Sequence, residues 1–136
     1  MDKRFFEFLS HDERVDCLAV GAVARHGAGD VLLGFGERRR ALHVLLDGRA
    51  EVRRPDGALL SGLVSGDVYG EMSWVELGGA SADVVATTDG ATLTLAEEQI
   101  DELFRDRPGL AAVLYRSLAA ELSRRLRALS ERFAAA

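Results

Sequence analysis

Several features that would commit the chain to a particular chemistry are missing from it. There is one cysteine, Cys17, so no internal disulfide can form, which points to a reducing, cytoplasmic setting. Its neighbours Glu13 and Asp16 are acidic, which disfavours a reactive thiolate, so Cys17 reads as structural. The 136 residues carry only two prolines and no Pro/Ser-rich linker, repeat or low-complexity tract, so the length corresponds to one domain. No apolar run approaches the roughly 18–20 residues of a membrane span. The apolar start Phe5, Phe6, Phe8 and Leu9 is interrupted by Glu7 and followed by His11-Asp12-Glu13-Arg14, which is not a signal-peptide pattern. G-x-S-x-G, Walker and H-E-x-x-H motifs are absent. The histidines, His11, His26 and His43, are not paired at ligand spacing, so no zinc or iron site is expected. His26 reads as a loop residue and His43 as a strand residue on a sheet face. No arginine or lysine occurs between Arg54 and Arg105.

Charge is unevenly distributed over what is present. The formal net charge is −5, yet residues 105–132 carry seven arginines against three acids, leaving 10 basic and 19 acidic residues elsewhere. An acidic body argues against a phosphate-tracking surface for nucleic acid. Arg124, Arg125 and Arg127 suit the C-terminal end of a helix, where cations complement the dipole. Glu97, Glu98, Asp101 and Glu102 read as a solvated helix face.

Periodicity divides the chain into three parts. Residues 4–20 read as helical, with Phe5, Phe8, Leu9, Val15, Leu18 and Ala19 on an apolar face, and the Ser10/Glu13 capping box marks a second helix start. Short apolar stretches at 31–33, 41–46, 49–53, 58–64, 84–87 and 91–95 then read as strands. Asp47-Gly48, Asp56-Gly57 and Asp89-Gly90 are expected to form type I′ turns with positive φ at both residues. Many short strands with regular turn signals indicate a sandwich or barrel. The pattern becomes helical again at 97–104, and Asp106 with Pro108 looks like the cap and start of a last helix of roughly 25 residues, about 38 Å long.

The first part of that last helix offers Leu110, Val113, Leu114 and Leu118 for docking on the strands. Tyr115, Ala119, Leu122, Leu126, Leu129 and Phe133 then recur at alternating spacings of four and three, a heptad seam. A helix this long overhangs the domain, and a two-fold copy of itself is the simplest partner for the seam. The expected assembly is a homodimer through residues 110–133.

The order helix, strands, long helix resembles the cyclic-nucleotide-binding domain, especially the sensory half of catabolite-activator-like regulators. Gly29-Asp30-Val31, Gly36, Leu42-His43-Val44-Leu45-Leu46-Asp47-Gly48 and Val84-Val85-Ala86 are similar to the family's strand and turn motifs. Gly66-Asp67-Val68-Tyr69-Gly70-Glu71-Met72 looks like the start of its phosphate-binding cassette, and Ser123-Arg124-Arg125-Leu126 through Ser130-Glu131-Arg132 like its dimer helix. The resemblance covers about residues 5–133. It implies a mainly β fold, a jelly roll (double-stranded β-helix) with flanking helices and a long C-terminal dimerisation helix: N-terminal helices over 1–22, the roll over 23–96 and helices over 97–135. It implies a ligand site at Gly70, Glu71, Met72, Ala80, Ser81 and Ala82, with Glu71 accepting the ribose 2′-hydroxyl. A short helix beginning near Glu71 would direct free backbone N–H groups at an anion.

One departure bears on function. The family's phosphate arginine should fall at Ala80 or Ser81, and neither is basic. A charge-assisted hydrogen bond is worth roughly 1.5–3 kcal/mol, about one to two orders of magnitude in affinity. The Thr-Ser pair with which the activators contact the base from the dimer helix looks like Leu129 and Ser130 here, leaving Ser130 as a base contact. The expectation is a non-enzymatic regulatory module with weak or lost cyclic nucleotide binding, no cofactor, and a homodimer interface or a protein partner as its output. One alternative is a genuine cyclic nucleotide sensor that uses backbone donors and a distant arginine such as Arg49 or Arg53. Another is the sensory fragment of a transcription regulator, which would need a helix-turn-helix after Phe133.

Overall fold

The computed structural model describes residues 5–76 and 78–134. Of the boundaries expected above, residues 1–4 and 135 lie outside them. Eight strands form two four-stranded antiparallel sheets. In chain order they are β1 (Ala22–His26), β2 (Val31–Leu33), β3 (Ala41–Asp47), β4 (Ala50–Arg53), β5 (Leu59–Leu63), β6 (Val68–Tyr69), β7 (Asp83–Ala86) and β8 (Gly90–Ala96). The first sheet has the order β1-β8-β3-β6 and the second β2-β7-β4-β5. Consecutive strands repeatedly switch sheets, the wiring of a jelly roll. Four helices complete the fold: α1 (His11–Val20), α2 (Glu71–Glu76), α3 (Glu97–Asp106) and α4 (Leu110–Ala134).

The alternation of side chains along β3 explains how both faces of the first sheet are used. Leu42 and Val44 join Leu93 and Leu95 of β8 in an outer core covered by Phe5, Leu9, Cys17, Ile100, Leu103, Leu110, Leu114 and Leu118. Leu45 points the other way, into an inner core with Leu33, Ala50, Leu63, Tyr69, Ala80 and Val84. His43 and the β8 threonines also lie between the outer-core positions. His43 Nδ1 is 2.9 Å from Thr94 Oγ1, and Tyr69 OH is 2.9 Å from Thr92 Oγ1. Burial lowers the His43 pKa to about 4, so the ring is neutral at physiological pH.

Several sequence expectations are corrected. Residues 5–9 are turns, not helix, and only the Ser10 capping box opens a helix, with Glu13 N donating to Ser10 Oγ at 3.2 Å. The buried residues of α1 are Arg14 and Cys17, whereas Phe8, Val15 and Leu18 are exposed. Arg14 is buried because its guanidinium donates to Leu9 O at 2.5 Å. β1 and the two-residue β6 were not among the expected strands. His26 closes β1 opposite Gly90 and is not in a loop.

The Asp-Gly turns are not type I′. Among the described residues the only positive φ outside glycine is at Phe6, so the aspartates keep ordinary φ while Gly48 and Gly57 sit at 90°. Asp47-Gly48 is a corner between sheets. Asp56-Gly57 closes the β4–β5 hairpin as a bulged turn, with Gly57 N donating to Arg54 O at 2.8 Å. Gly90 has no positive φ, and a Cβ there would collide with the Asp47 carbonyl oxygen. Asp106 ends α3 rather than capping α4, and Pro108 and Gly109 form the turn between them.

α4 is 25 residues long, as expected. Arg116, Arg124 and Arg125 are used within the chain. Arg116 lies 4.0 Å over the Phe8 ring, Arg124 pairs with Glu7 at 2.6 Å, and Phe8 N donates to Ser117 Oγ at 3.0 Å. Among the described residues no helix is long and apolar enough to cross a membrane, and no cluster of side chains could hold a metal ion.

Candidate ligand-binding site

A cavity of about 590 Å³ opens between the second sheet, the α2 turn and α4. That volume falls within the about 300–1,000 Å³ typical of small-molecule sites. Its floor is apolar: Leu33, Val52, Leu63 and Val84 from the sheet, with Tyr69 from β6. The expected cassette residues Gly70, Glu71, Met72, Ala80, Ser81 and Ala82 all line it. Sequences 11 residues apart are brought together because the 78–82 segment folds back over the roll. Gly36 N donates to Ala80 O at 2.8 Å, and Ala80 N donates to Glu37 O at 2.9 Å.

Gly70 is held at φ 80°, and a Cβ there would lie 2.9 Å from His43 Cδ2, so the turn into α2 needs glycine. α2 is then clamped from both sides. Arg40 sits 4.1 Å over the Trp74 ring and donates to Trp74 O at 3.3 Å, while Trp74 Nε1 donates to Tyr115 OH at 3.1 Å. Glu71, the first residue of α2, is buried.

The finding that sequence reasoning missed is the partner of Glu71. Arg125, reaching in from α4, donates to Glu71 Oε1 at 2.5 Å, to Val68 O at 2.7 Å and to Glu121 Oε1 at 3.3 Å. Burial raises the Glu71 carboxyl above its ordinary range, and the Arg125 guanidinium offsets that only in part. The available signal was the Glu121/Arg125 pair at i, i+4 flanked by Leu122 and Leu126, which puts a cation on the helix face that turns toward the domain. Read alone, Arg125 was indistinguishable from the other arginines of a basic helix end.

α4 supplies the rest of the roof with Leu122, Leu126, Ala128, Leu129 and Arg132. Three of the six expected dimer-seam residues therefore also face the chain's own cavity. Tyr115 is tied to Trp74, while Ala119 and Phe133 are exposed. Ser130 is exposed and not on the cavity wall. Arg49 and Arg53 are not on it either; Arg53 is held by Glu51 at 2.6 Å and by Gly57 O at 2.6 Å. The idea of a cation from the β4 hairpin is thus corrected: the cations on the wall come from α4. Ser81 Oγ lies 3.7 Å from Met72 Sδ, close to the position where the family carries its arginine.

The class the fold and site define is a jelly-roll domain with a ligand-sized cavity, bounded by a glycine-led short helix and roofed by a long C-terminal helix. The chain belongs to the cyclic nucleotide-binding domain family, whose profile matches residues 24–107. Among solved structures it is similar to the catabolite activator protein of Thermus thermophilus, at 29% identity and TM-score 0.76, over 94% of this chain and 60% of that one. It is also similar to the N-terminal domain of a transcriptional regulator from Streptomyces coelicolor, at 25% identity and TM-score 0.77, over 94% of this chain and 95% of that one. Among curated proteins it is 29% identical over 125 residues to Glutaminase 1 of Bradyrhizobium diazoefficiens, covering 92% of this chain and 20% of that protein. The chain spans about a fifth of the length of the curated relatives it matches. It is a regulatory module of its family.

Proposed function

We propose that this domain has lost tight cyclic nucleotide binding and acts, without catalysing a reaction itself, through a homodimer formed by α4 or through a protein partner. The observation that supports this most strongly is the state of the cassette. Its backbone turn is intact, but the site of the phosphate clamp is Ala80, and the Glu71 carboxylate that would accept a ribose hydroxyl is engaged by Arg125. A nucleotide would have to displace a charge-assisted hydrogen bond and bring its phosphate to an apolar wall. The dimer reading rests on Leu126, Leu129 and Phe133, which are exposed on the outer half of α4.

A second reading is favoured by one observation: guanidinium groups do reach the cavity, from Arg125 and Arg132. In that case the domain is a cyclic nucleotide sensor whose phosphate is taken by α4. Thermal denaturation with cyclic AMP and cyclic GMP separates the two. The first reading predicts an unchanged Tm at millimolar nucleotide. A sensor saturated to 100 times its Kd would gain about 2.7 kcal/mol, which a melting curve resolves readily.

A further inference from the structure

The wall chemistry of the cavity specifies a ligand, on the reading just given that tight nucleotide binding is lost. Its lining is dominated by aliphatic side chains, and several at its rim are solvent-exposed, among them Leu60 at 45%, Met72 at 47% and Leu126 at 64%. Among the described residues, the charged ones on the wall are Glu71, Arg125 and Arg132. Glu71 and Arg125 neutralise each other at 2.5 Å, Glu71 buried and Arg125 partly exposed. Arg132 is different. It stands seven residues further along the helix, about 10 Å toward its C-terminus, and is exposed. Among the described residues it makes no hydrogen bond or ion pair.

A guest for this cavity must therefore satisfy two conditions. Its body must be apolar, because the floor offers few polar partners and burying unpaired polar groups there is costly. Its one charged end must be a small anion at the rim, where a planar guanidinium can bind it in bidentate fashion. A ribose-phosphate fails the first condition, because its hydroxyls would be buried against an aliphatic floor with few partners.

We propose that the cavity binds an apolar monocarboxylate, an alkyl carboxylate of medium length, with its chain over Leu33, Val52, Leu63 and Val84 and its carboxylate on Arg132. Leu122, Leu126 and Leu129 close over the chain, so occupancy reports directly on α4.

Calorimetric titration of the full chain with octanoate, decanoate and 1-octanol, alongside cyclic AMP, tests this. Decanoate should bind roughly tenfold tighter than octanoate, as burial of two further methylenes requires. Octanol should bind roughly tenfold more weakly than octanoate, for want of the charge-assisted bond. Arg132→Ala should bring octanoate down to the level of octanol. Arg132 is exposed, so this variant leaves the core intact. Ala82→Phe should abolish decanoate binding by filling the floor. Equal affinity for octanoate and octanol, an unchanged Arg132→Ala, or no binding of decanoate would each overturn the proposal. The nucleotide arm separates the two readings. Tight cyclic AMP binding would defeat the loss of nucleotide binding, whereas silence from both ligands would defeat the carboxylate site alone.

Discussion

In the first half of α4, Leu110, Leu114 and Leu118 are 1%, 3% and 2% exposed; in the second, Leu126, Leu129 and Phe133 are 64%, 45% and 73% exposed. Both halves carry leucines at helical spacing, and the second adds most of the arginines, but that is not what separates them. What differs is what lies beneath them. The first half rests on the outer core, where β3, β8 and α3 supply complementary side chains. The second half spans a cavity, touching the roll through Arg125 and a few leucines. Apolar periodicity thus announces a helix in both cases, but only the surroundings decide whether the stripe is core, roof or interface. Between the halves, Glu121 and Arg125 join helix to cassette, so whatever occupies the cavity acts on the half that is least held.

The largest effect should come from the docked half. Leu114→Ala removes a buried side chain and should cost about 2–5 kcal/mol in urea denaturation, whereas Leu126→Ala should stay within about 0.5 kcal/mol. Equal losses would erase the distinction between the halves.

His43 probes the sheet beneath both. Its folded pKa, about 4, lies below the ordinary 6.5, so the unfolded chain takes up the proton first. The stability held by neutral His43 is complete above pH 6.5 and lost as pH falls toward 4, about 3 kcal/mol in all. Denaturation across that window should show this slope in the wild type and a flattened one in His43→Gln.

Next comes the joint itself. Arg125→Ala leaves a buried Glu71 carboxylate without its cation, which should cost about 1–3 kcal/mol, tempered by the partial exposure of Arg125. The Glu71 pKa is already raised by burial, so its ionisation opposes folding. The penalty should therefore be absent below the unfolded value near 4.5 and grow as pH rises through the folded pKa. Adding Glu71→Gln to the variant should recover most of it. A pH-independent loss would mean that Arg125 matters only for packing.

The smallest effect on stability belongs to the overhang. Leu126→Glu with Phe133→Glu should move the monomer fold by no more than about 0.5 kcal/mol. The same variant should halve the mass seen by light scattering if the wild type is a dimer. A wild type that is already monomeric would remove the interface from the account.

The strands read at 31–33, 41–46 and 91–95 were legible because short apolar stretches are bounded there by glycine-containing turns. β1 was not: the short apolar run Ala22-Val23-Ala24 follows the apolar end of α1, Leu18-Ala19-Val20, directly across Gly21, so nothing local marks where helix gives way to strand. β6 has two residues, too few for any period. The cassette side of the cavity was legible because Gly66, Gly70 and Glu71 occur in order, and Ala80 could be placed by counting; the aliphatic floor was not. Its roof was not. Arg125 meets Glu71 across 54 positions, and a contact that distant is set by how α4 lies on the roll, not by local spacing. The same blindness applied to Arg49 and Arg53, whose positions on β4 and its flank gave no hint that they face away from the cavity.

The claim on which the rest depends is that the cassette lacks a phosphate cation at Ala80, whose side chain faces the cavity. Calorimetric titration of cyclic AMP into the wild type and into Ala80→Arg tests it most directly. The account predicts feeble or no binding by the wild type and a gain of about ten- to hundredfold in the variant. Tight binding by the wild type, unimproved by the new arginine, would contradict it.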